Sequence, residues 1–584
     1  MTELLTAHQM RGVEQRAIGA GEVTGLALME RAGQGVVDAI LAHWPERRGA
    51  PGYAIVLCGP GNNGGDGFVI ARLLDALGWR VDVYFYGDAT KLPPDAAANY
   101  ARWQAKHPVW ALTQAGLRTR QRIGEVTHYI DALFGIGISR PLSGELGHIV
   151  GYLAGSGGDH GYFQPRMVAV DVPSGLDADS GRVLGCPEPV PSNSRAAYAA
   201  LTVTFDSPKA GHFLADGPAL CGKLVVCDIG LEAYRSLNEG NAVRPVSLSL
   251  QPPLGAVEDR RNLTAVDSSG LLSKQPYGHK YDHGAALVLS GGVGRGGAAR
   301  LAARGALRMG AGLVTVGCPP SALMENAVHL DAIMLRKVAD HAALRAMLAD
   351  DSRLNALCIG PGLGMGAREA ELVRTVLEAR RACVLDADAL TLIAQDSALK
   401  ELLHERCVLT PHGGEFARLF PDIAENLVGP KRPELHESDA LAERLKENLS
   451  FMQERLASLR SYQNELENQT GPLYSKVDAV RDAAAEAGCT VLLKGADTVI
   501  AEPNGRAVLC AAHYDRAAPW LATAGAGDVL AGFITGLLAR RLDTLTAAKL
   551  GAWLHQECAL SFGPGLIAED LPEKLPKVFR QLGI

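Results

Sequence analysis

The chain has 584 residues, 47% hydrophobic and 21% charged, which excludes general disorder and favours several domains, because one core stops growing well below this length. Its formal net charge of -7 argues against a broad nucleic-acid-binding surface. The 11 cysteines are scattered, with no CxxC pair and no zinc spacing, so reduced thiols are expected rather than a disulfide framework.

The first residues, MTELLTAHQMRGVEQRA, lack the basic start and apolar core of a signal peptide. No uninterrupted apolar run is long enough to span a bilayer. A cytoplasmic location is expected, with no membrane or nucleic-acid partner.

Residues 1–50 read as helices, with apolar residues at helical spacing in GEVTGLALMERAGQGVVDAILAHW. YAIVLCG is a buried strand ending in a glycine-rich turn, FVIARLLDALG a helix and WRVDVYFYG the next strand. THYIDALFG, RMVAVDVPSG and ALTVTF repeat the theme, and LVVCDIG closes the unit. The alternation predicts an α/β fold with a mostly parallel sheet covered on both faces.

The first glycine cluster is Cys58-Gly59-Pro60-Gly61-Asn62-Asn63-Gly64-Gly65-Asp66-Gly67. Its glycines let backbone N–H groups approach a phosphate at a helix N-terminus. A tight strand-to-helix turn is the plain structural reading, but such a turn needs neither Asn-Asn nor Asp66. No Gly-Lys-Ser/Thr follows, so a P-loop is excluded. Two later loops, at Asp131–Gly137 and Asp171–Asp177, start at strand ends, the ligand edge of a parallel sheet. Oxygens of Asn63, Asp131 and Ser174 could hold a hard cation, or could serve local capping bonds.

GPGNNGGDG, DALFGIGISRPLSG, DVPSGLDADSG and TVTFDSPKAG, in that order, resemble the YjeF N-terminal family, the NAD(P)H-hydrate epimerases, over about residues 5–235. The family usually has Ile where Val172 stands. The resemblance implies a Rossmann-like α/β/α domain that interconverts the R and S epimers at C6 of NADHX and NADPHX. It implies substrate contacts from Asn62, Asn63, Gly64, Gly65 and Asp66, and from Gly135, Ile136, Gly137, Ile138, Ser139, Arg140, Pro141 and Asp171. It implies a potassium ion on Asn63, Asp131 and Ser174. Breaking and remaking a bond at C6 needs an acid–base group, and Asp171 is the candidate.

Residues 231–275 are rich in Pro, Asn and charge and mark the junction, near 240–255. The division expected is 1–240 for the first domain, 241–264 for the linker and 265–584 for the second domain. A second α/β cycle begins at GAALVLSGG and runs through LVTVGCP, ALCIGPGLG, ACVLDADAL, CVLTPHGGE and CTVLLKGADTVIAEPNG. Between its last two segments, residues 431–470 are highly charged, with Leu441, Leu445, Leu449, Leu456 and Leu459 at roughly helical spacing. This interruption reads as a solvated helical excursion, with a subunit-contact arm as the alternative.

Thr523-Ala524-Gly525-Ala526-Gly527-Asp528 enters a helix. Small residues there leave room for a phosphate over N–H donors, and Asp528 could take a proton from a hydroxyl attacking a phosphoryl group. An Asp that merely caps the helix is the plain alternative. Gly360–Gly364, Asp386–Ala389, Thr410–Glu415 and Lys494-Gly495 accompany it in order. Lys494 is placed to meet nucleotide phosphate, and His412, between Pro411 and two glycines, is expected on a loop and free to bond a ligand.

With KYDHGAALVLSGG and ALRMGAGLVTV, these segments resemble the YjeF C-terminal family, the ADP-dependent NAD(P)H-hydrate dehydratases, over about residues 265–425 and 475–570. Gly413-Gly414-Glu415 replaces the commoner Pro-Gly-Glu, and the charged interruption is longer than the family needs. The resemblance implies a ribokinase-like domain, so that the chain holds two three-layer α/β/α domains. It implies substrate contacts from Ala298, Gly362, Gly364, His412 and Asp528. Lys494, Gly495, Ala496, Asp497, Thr498 and Gly527 would meet the adenine nucleotide. ADP as co-substrate, Mg2+ and a homo-oligomer complete what it implies. The activity implied for the whole chain is repair of NAD(P)H hydrates, with AMP and phosphate as by-products. A small-molecule kinase fused to a dinucleotide-binding domain, or a ligand-sensing scaffold, are the competing readings of the residues themselves.

Overall fold

The structure is a computed structural model that describes residues 3–120, 125–154, 163–186, 195–235, 244–245, 271–274, 279–430 and 449–584. Most of the expected junction, with Leu441 and Leu445 of the charged interruption, lies outside the described residues. The chain divides into two compact units, Glu3–Asn238 with Val428–Ser475, and Glu239–Leu427 with Lys476–Ile584.

The first unit is built on seven strands: β1 (Tyr53–Cys58), β2 (Arg80–Phe85), β3 (Val109–Ala111), β4 (His128–Ala132), β5 (Met167–Val170), β6 (Leu201–Phe205) and β7 (Lys223–Cys227). Every pairing is parallel, in the order β3-β2-β1-β4-β5-β6-β7. All six β1 residues are buried, as a central parallel strand requires. Ala54, Val56 and Cys58 join one apolar cluster and Tyr53, Ile55 and Leu57 another, so both faces of the sheet are covered. Helix Gly25–His43 starts where Thr24 accepts the Ala27 N–H at 3.1 Å.

The second unit carries ten strands: β8 (Arg244–Pro245), β9 (Ala285–Leu289), β10 (Leu313–Cys318), β11 (Met334–Lys337), β12 (Leu354–Ile359), β13 (Ala382–Leu385), β14 (Cys407–Leu409), β15 (Thr490–Leu493), β16 (Asp497–Ala501) and β17 (Ala507–Ala511). Their order is β11-β10-β9-β12-β13-β14-β15-β16-β17-β8. The β15–β16 and β16–β17 pairings are antiparallel, so the LLKGADTVIA segment is a turn between two strands at the end of an otherwise parallel run.

In each sheet the winding direction reverses once, between β1 and β4 and between β9 and β12. Ligands of open α/β sheets bind at such a switch point, beyond the carboxyl ends of the strands. Both sets of glycine loops leave from those ends.

Three sequence expectations are modified. Asn62–Asp66 is not a loop ahead of a helix but its first turn, since helix Asn62–Ala76 begins at Asn62. The described part of the charged interruption includes helix Leu449–Glu467, and among its described side chains Tyr462 and Leu466 are buried, while Leu456 is exposed. The cysteines are all free, as expected, but two are not scattered: Cys383 and Cys407 face each other on β13 and β14 with sulfurs 3.5 Å apart. Strand pairing brought them together across a gap that no local spacing motif covers.

Candidate functional site

At the first switch point Asp131 is the penultimate residue of β4 and Ser174 follows β5. Ser174 donates to Asp131 through both Oγ (2.6 Å) and its backbone N–H (2.8 Å), and its Oγ accepts the Phe134 N–H at 2.9 Å. Burial raises the Asp131 carboxyl, and the bonds from Ser174 and Leu133 oppose that rise. No cationic side chain pairs with Asp131 among the described residues. A Cβ at Gly135 would lie 2.9 Å from both Asn63 Oδ1 and Asp171 Oδ2, so these oxygens flank one small cradle. Of the three residues expected to ligate a cation, Asp131 and Ser174 are thus joined directly, while the Asn63 oxygen lies beside Asp171 across Gly135.

Asp171 sits just beyond β5 with φ 68°, a left-handed conformation that costs a non-glycine residue free energy and recurs at functional sites. Its Oδ1 accepts from Lys209 Nζ (2.9 Å) and Thr204 Oγ1 (2.8 Å), and its Oδ2 accepts the Ile136 N–H at 3.2 Å. Burial works against the charge on Asp171, but Lys209, His212 and Thr204 together outweigh it and the carboxyl stays below its ordinary range. The opposite holds for Asp66. Burial, Asp171 and Glu14 push its carboxyl well above the ordinary range. Two carboxyls facing one site are thus driven apart, Asp171 toward the ionised form and Asp66 toward the protonated one.

The remaining residues expected at this site are placed on the same loops. Gly64 and Gly65 are buried in the helix turn, where a side chain at Gly64 would meet the Gly59 backbone. Ile138 and Pro141 are buried, whereas Asn62, Gly137, Ser139 and Arg140 are exposed along the rim. Sequence reasoning missed Lys209, Thr204, His212 and Glu14. His212 Nε2 lies 2.9 Å from the Asp171 carbonyl, and burial lowers its pKa to about 4, keeping it neutral. Lys209 and Thr204 lie within the quoted TVTFDSPKAG segment, but a lone lysine in sequence carries no sign that it will be buried.

At the second switch point Asp386, beyond β13, is the common partner of two neighbouring strand ends. Thr410 Oγ1 (2.9 Å) and Lys494 Nζ (2.8 Å) both donate to its Oδ1. Lys494 is therefore paired with a buried carboxylate rather than lying loose, and its Nζ sits 3.4 Å from where a Cβ on Gly527 would be. Asp528 lies in the first turn of helix Ala526–Ala539, whose N-cap is Gly525 with φ 86°, so Asp528 is not the cap. Burial and the charges of Asp386, Asp388 and Glu415 raise the Asp528 carboxyl from 3.8 to about 6, with Lys494 opposing.

The substrate-expected residues gather here in part. A Cβ on Gly362 would lie 3.4 Å from the Ala298 side chain, and the Gly364 N–H donates to Asp388 Oδ2 at 2.8 Å. His412 departs from its expectation of a free loop residue. It caps helix Gly413–Leu419, its Nδ1 accepting from the N–H groups of Gly414 (3.0 Å) and Glu415 (3.4 Å), while its Nε2 lies 3.4 Å from Glu415 Oε1.

Lys494, Gly495, Ala496, Thr498 and Gly527 line one cavity of about 460 Å³, a size suited to a nucleotide. Pro519, Leu521, Leu530 and Ala552 give it an apolar end, and Lys494 with the helix N-terminus gives it a polar one. Asp497 is engaged instead by Lys476 at 2.6 Å. His555 and Gln556 also line the cavity and were missed. His555 Nε2 meets the Ala526 carbonyl at 2.9 Å, and Gln556 donates to the carbonyls of Ala511 and Arg516.

Known proteins carry the same pair of domains. The family described as YjeF-related protein N-terminus matches residues 25–211, and the NAD(P)H-hydrate dehydratase family matches residues 286–577. The bifunctional NAD(P)H-hydrate repair enzyme of Coxiella burnetii is 32% identical over 580 residues, 98% of each chain. That of Moorella thermoacetica is 32% identical, covering 99% of this chain and 97% of its own. The NAD(P)H-hydrate epimerase of Roseobacter litoralis is 44% identical over 243 residues, 40% of this chain and all of its own. With relatives matched along nearly their whole length and both domains in the same order, this chain belongs to the family of bifunctional NAD(P)H-hydrate repair enzymes.

Proposed function

We propose that the first unit epimerises R- and S-NAD(P)HX and that the second dehydrates the S epimer to NAD(P)H with ADP. The observation that carries this reading is the divergence of Asp66 and Asp171 at one switch point beside a raised Asp528 at the other. Each site then holds an acid–base group suited to its half of the task.

In the first site Asp171, ionised and held by Lys209, takes the C6 hydroxyl proton as the C6–N1 bond opens to an aldehyde, hands it to N1, and reverses both transfers when N1 adds to the other face of the carbonyl. Asp66, protonated, donates a hydrogen bond, and Asn62 to Gly65 with Gly135 to Pro141 hold the dinucleotide. Asn63, Asp131 and Ser174 would hold potassium, which would neutralise the buried Asp131 charge and fix the loops.

In the second site Asp528 takes the proton of the C6 hydroxyl as its oxygen attacks the β-phosphorus of ADP. The bond to the α-phosphate bridging oxygen breaks and AMP leaves. Departure of the C6 oxygen with the phosphate, and loss of the C5 proton, restore the nicotinamide double bond. Phosphate leaves where hydroxide would not. The N–H groups at the start of helix Ala526–Ala539 and Lys494 face the negative charge. Magnesium suits this site because it binds mainly through substrate phosphates with few carboxylates, and it would screen their charge against Asp386, Asp388 and Asp528. All eleven cysteines are free, which supports a reducing compartment.

The test is turnover of mixed NADHX epimers with ADP, following reduced-nicotinamide absorbance and AMP. Full consumption with one AMP per NADH is expected. A stable phosphorylated product would favour a kinase instead.

A further inference from the structure

The charged segment inserted between β14 and β15 has no part in the chemistry above, yet its described residues are anchored at particular points. The segment belongs to the first unit, and both its feet contact other loops of that unit. At the first foot, Arg182 donates to the Val428 carbonyl at 2.8 Å. At the second foot, Gln469 Oε1 accepts the Gly185 N–H at 2.9 Å, and the Gly471 N–H donates to the Ser139 carbonyl at 2.9 Å. The Leu473 backbone hydrogen-bonds the buried Asp177 carboxylate. The Leu473 side chain is 9% exposed and belongs to one apolar cluster with Ile138, Leu142 and Leu184.

These contacts fall on two loops. One is Gly135–Pro141, on the rim of the first site. The other follows Ser174 and runs through Asp177 to Gly185. A solvated excursion needs neither a buried leucine nor hydrogen bonds to the backbone of a site loop. Ser139 itself is exposed, so without Gly471 its carbonyl would face only water and the loop would lose an anchor.

We propose that the inserted segment is a brace for the epimerase site: Gln469, Gly471 and Leu473 are positioning residues that hold the Ser139 and Asp177–Gly185 loops in their dinucleotide-binding form. This rests on the reading of the first unit as an NAD(P)H-hydrate epimerase. A brace that shapes a binding loop acts on substrate affinity. It leaves the Asp171–Lys209 pair, and hence the chemical step, in place. It also leaves the dehydratase reaction untouched.

The experiment compares the full-length wild type with Gln469→Ala, Gln469→Glu and the Gln469→Ala/Leu473→Ala double variant. Epimerisation is read as loss of R-NADHX, and dehydration as NADH formed from S-NADHX and ADP. Gln469→Ala is expected to raise the epimerase KM about 3–10-fold, the effect of one lost hydrogen bond, with kcat within about 2-fold. Gln469→Glu keeps an acceptor for Gly185 and is expected to restore most of the affinity. The double variant should raise KM further and speed amide hydrogen exchange in residues 135–141, with dehydration unchanged. Unchanged epimerase KM together with unchanged exchange in 135–141 overturns the brace. So does a parallel fall of both activities, which marks general destabilisation. A wild type that does not epimerise R-NADHX at all overturns the reading of the unit rather than the brace alone.

Discussion

Asp171 and Lys209 form a buried ion pair, with side chains 9% and 1% exposed, in which each charge depends on the other. Lys209→Met would strand the Asp171 carboxylate, and removing one partner of a buried pair costs about 3–5 kcal/mol. A large fall in the urea midpoint of the first unit is expected, together with loss of epimerisation. Asp66→Asn keeps a hydrogen-bond donor in place of a protonated carboxyl, so it should retain far more epimerase activity than Asp171→Asn, which removes the charge Lys209 needs. Equal losses in the two variants would contradict the split of the carboxyls. Asp528 makes the pH prediction. Its carboxyl ionises at about 6, so dehydratase kcat/KM should fall as pH drops through about 6. For stability the sign is reversed. The folded state holds this proton more tightly than an unfolded Asp near 3.8, so the contribution is full below 3.8 and lost as pH rises through about 6. Asp528→Asn should therefore abolish dehydration yet raise the melting temperature at pH 7–8, by an amount equivalent to about 1–2 kcal/mol after allowance for partial solvent screening. The same substitution should change little at pH 4.

Helices Gly296–Arg308 and Ala526–Ala539 pack backbone to backbone, which places Asp528 over the sheet. A side chain at Gly532 would run into the Ala302 backbone, and one at Gly536 would come within 2.6 Å of the Ala306 carbonyl. Gly532→Ala is expected to destabilise the second unit by about 1–3 kcal/mol, the usual penalty of overpacking, seen as an earlier thermal transition with the epimerase half retained. The sequence showed these glycines only as part of an apolar helix. Their purpose was hidden because the surface they spare belongs to a helix more than 200 positions earlier. His412 teaches the converse. Its neighbours marked a turn correctly, yet Nδ1 of the imidazole caps a helix, since the first N–H groups of helix Gly413–Leu419 have no intrahelical acceptor and two of them lie within its reach.

The two units hold separate sites at separate switch points, and each should work without the other's chemistry. Asp171→Asn alone should stop converting mixed NADHX once the S epimer is exhausted, apart from the slow uncatalysed interconversion. Asp528→Asn alone should form no NADH. Mixing the two variants in one tube should restore full consumption, because the epimers are free to diffuse from one active site to the other. Failure to restore it, with each variant's remaining activity intact, would indicate transfer that requires both sites on one chain.

The sequence by itself determined the central strands, the loops that leave them and the family, because these rest on local patterns: buried runs such as YAIVLC, and glycines where a backbone must approach a phosphate; β3, β8, β11 and β17 were not read from it. Only tertiary structure decided which charges would be compensated. Lys209 reaches Asp171 across 38 positions and Lys494 reaches Asp386 across 108. Against the cost of burial, the Lys209 pairing helps hold the Asp171 carboxyl below its ordinary range, since a buried carboxyl's charge follows its surroundings rather than its neighbours in sequence. The inserted segment shows the same limit. Its charge and helical character were legible, but neither the residues it buries nor its contacts with Ser139 and Gly185 were, because a hydrogen bond to a distant backbone leaves no trace in the local pattern.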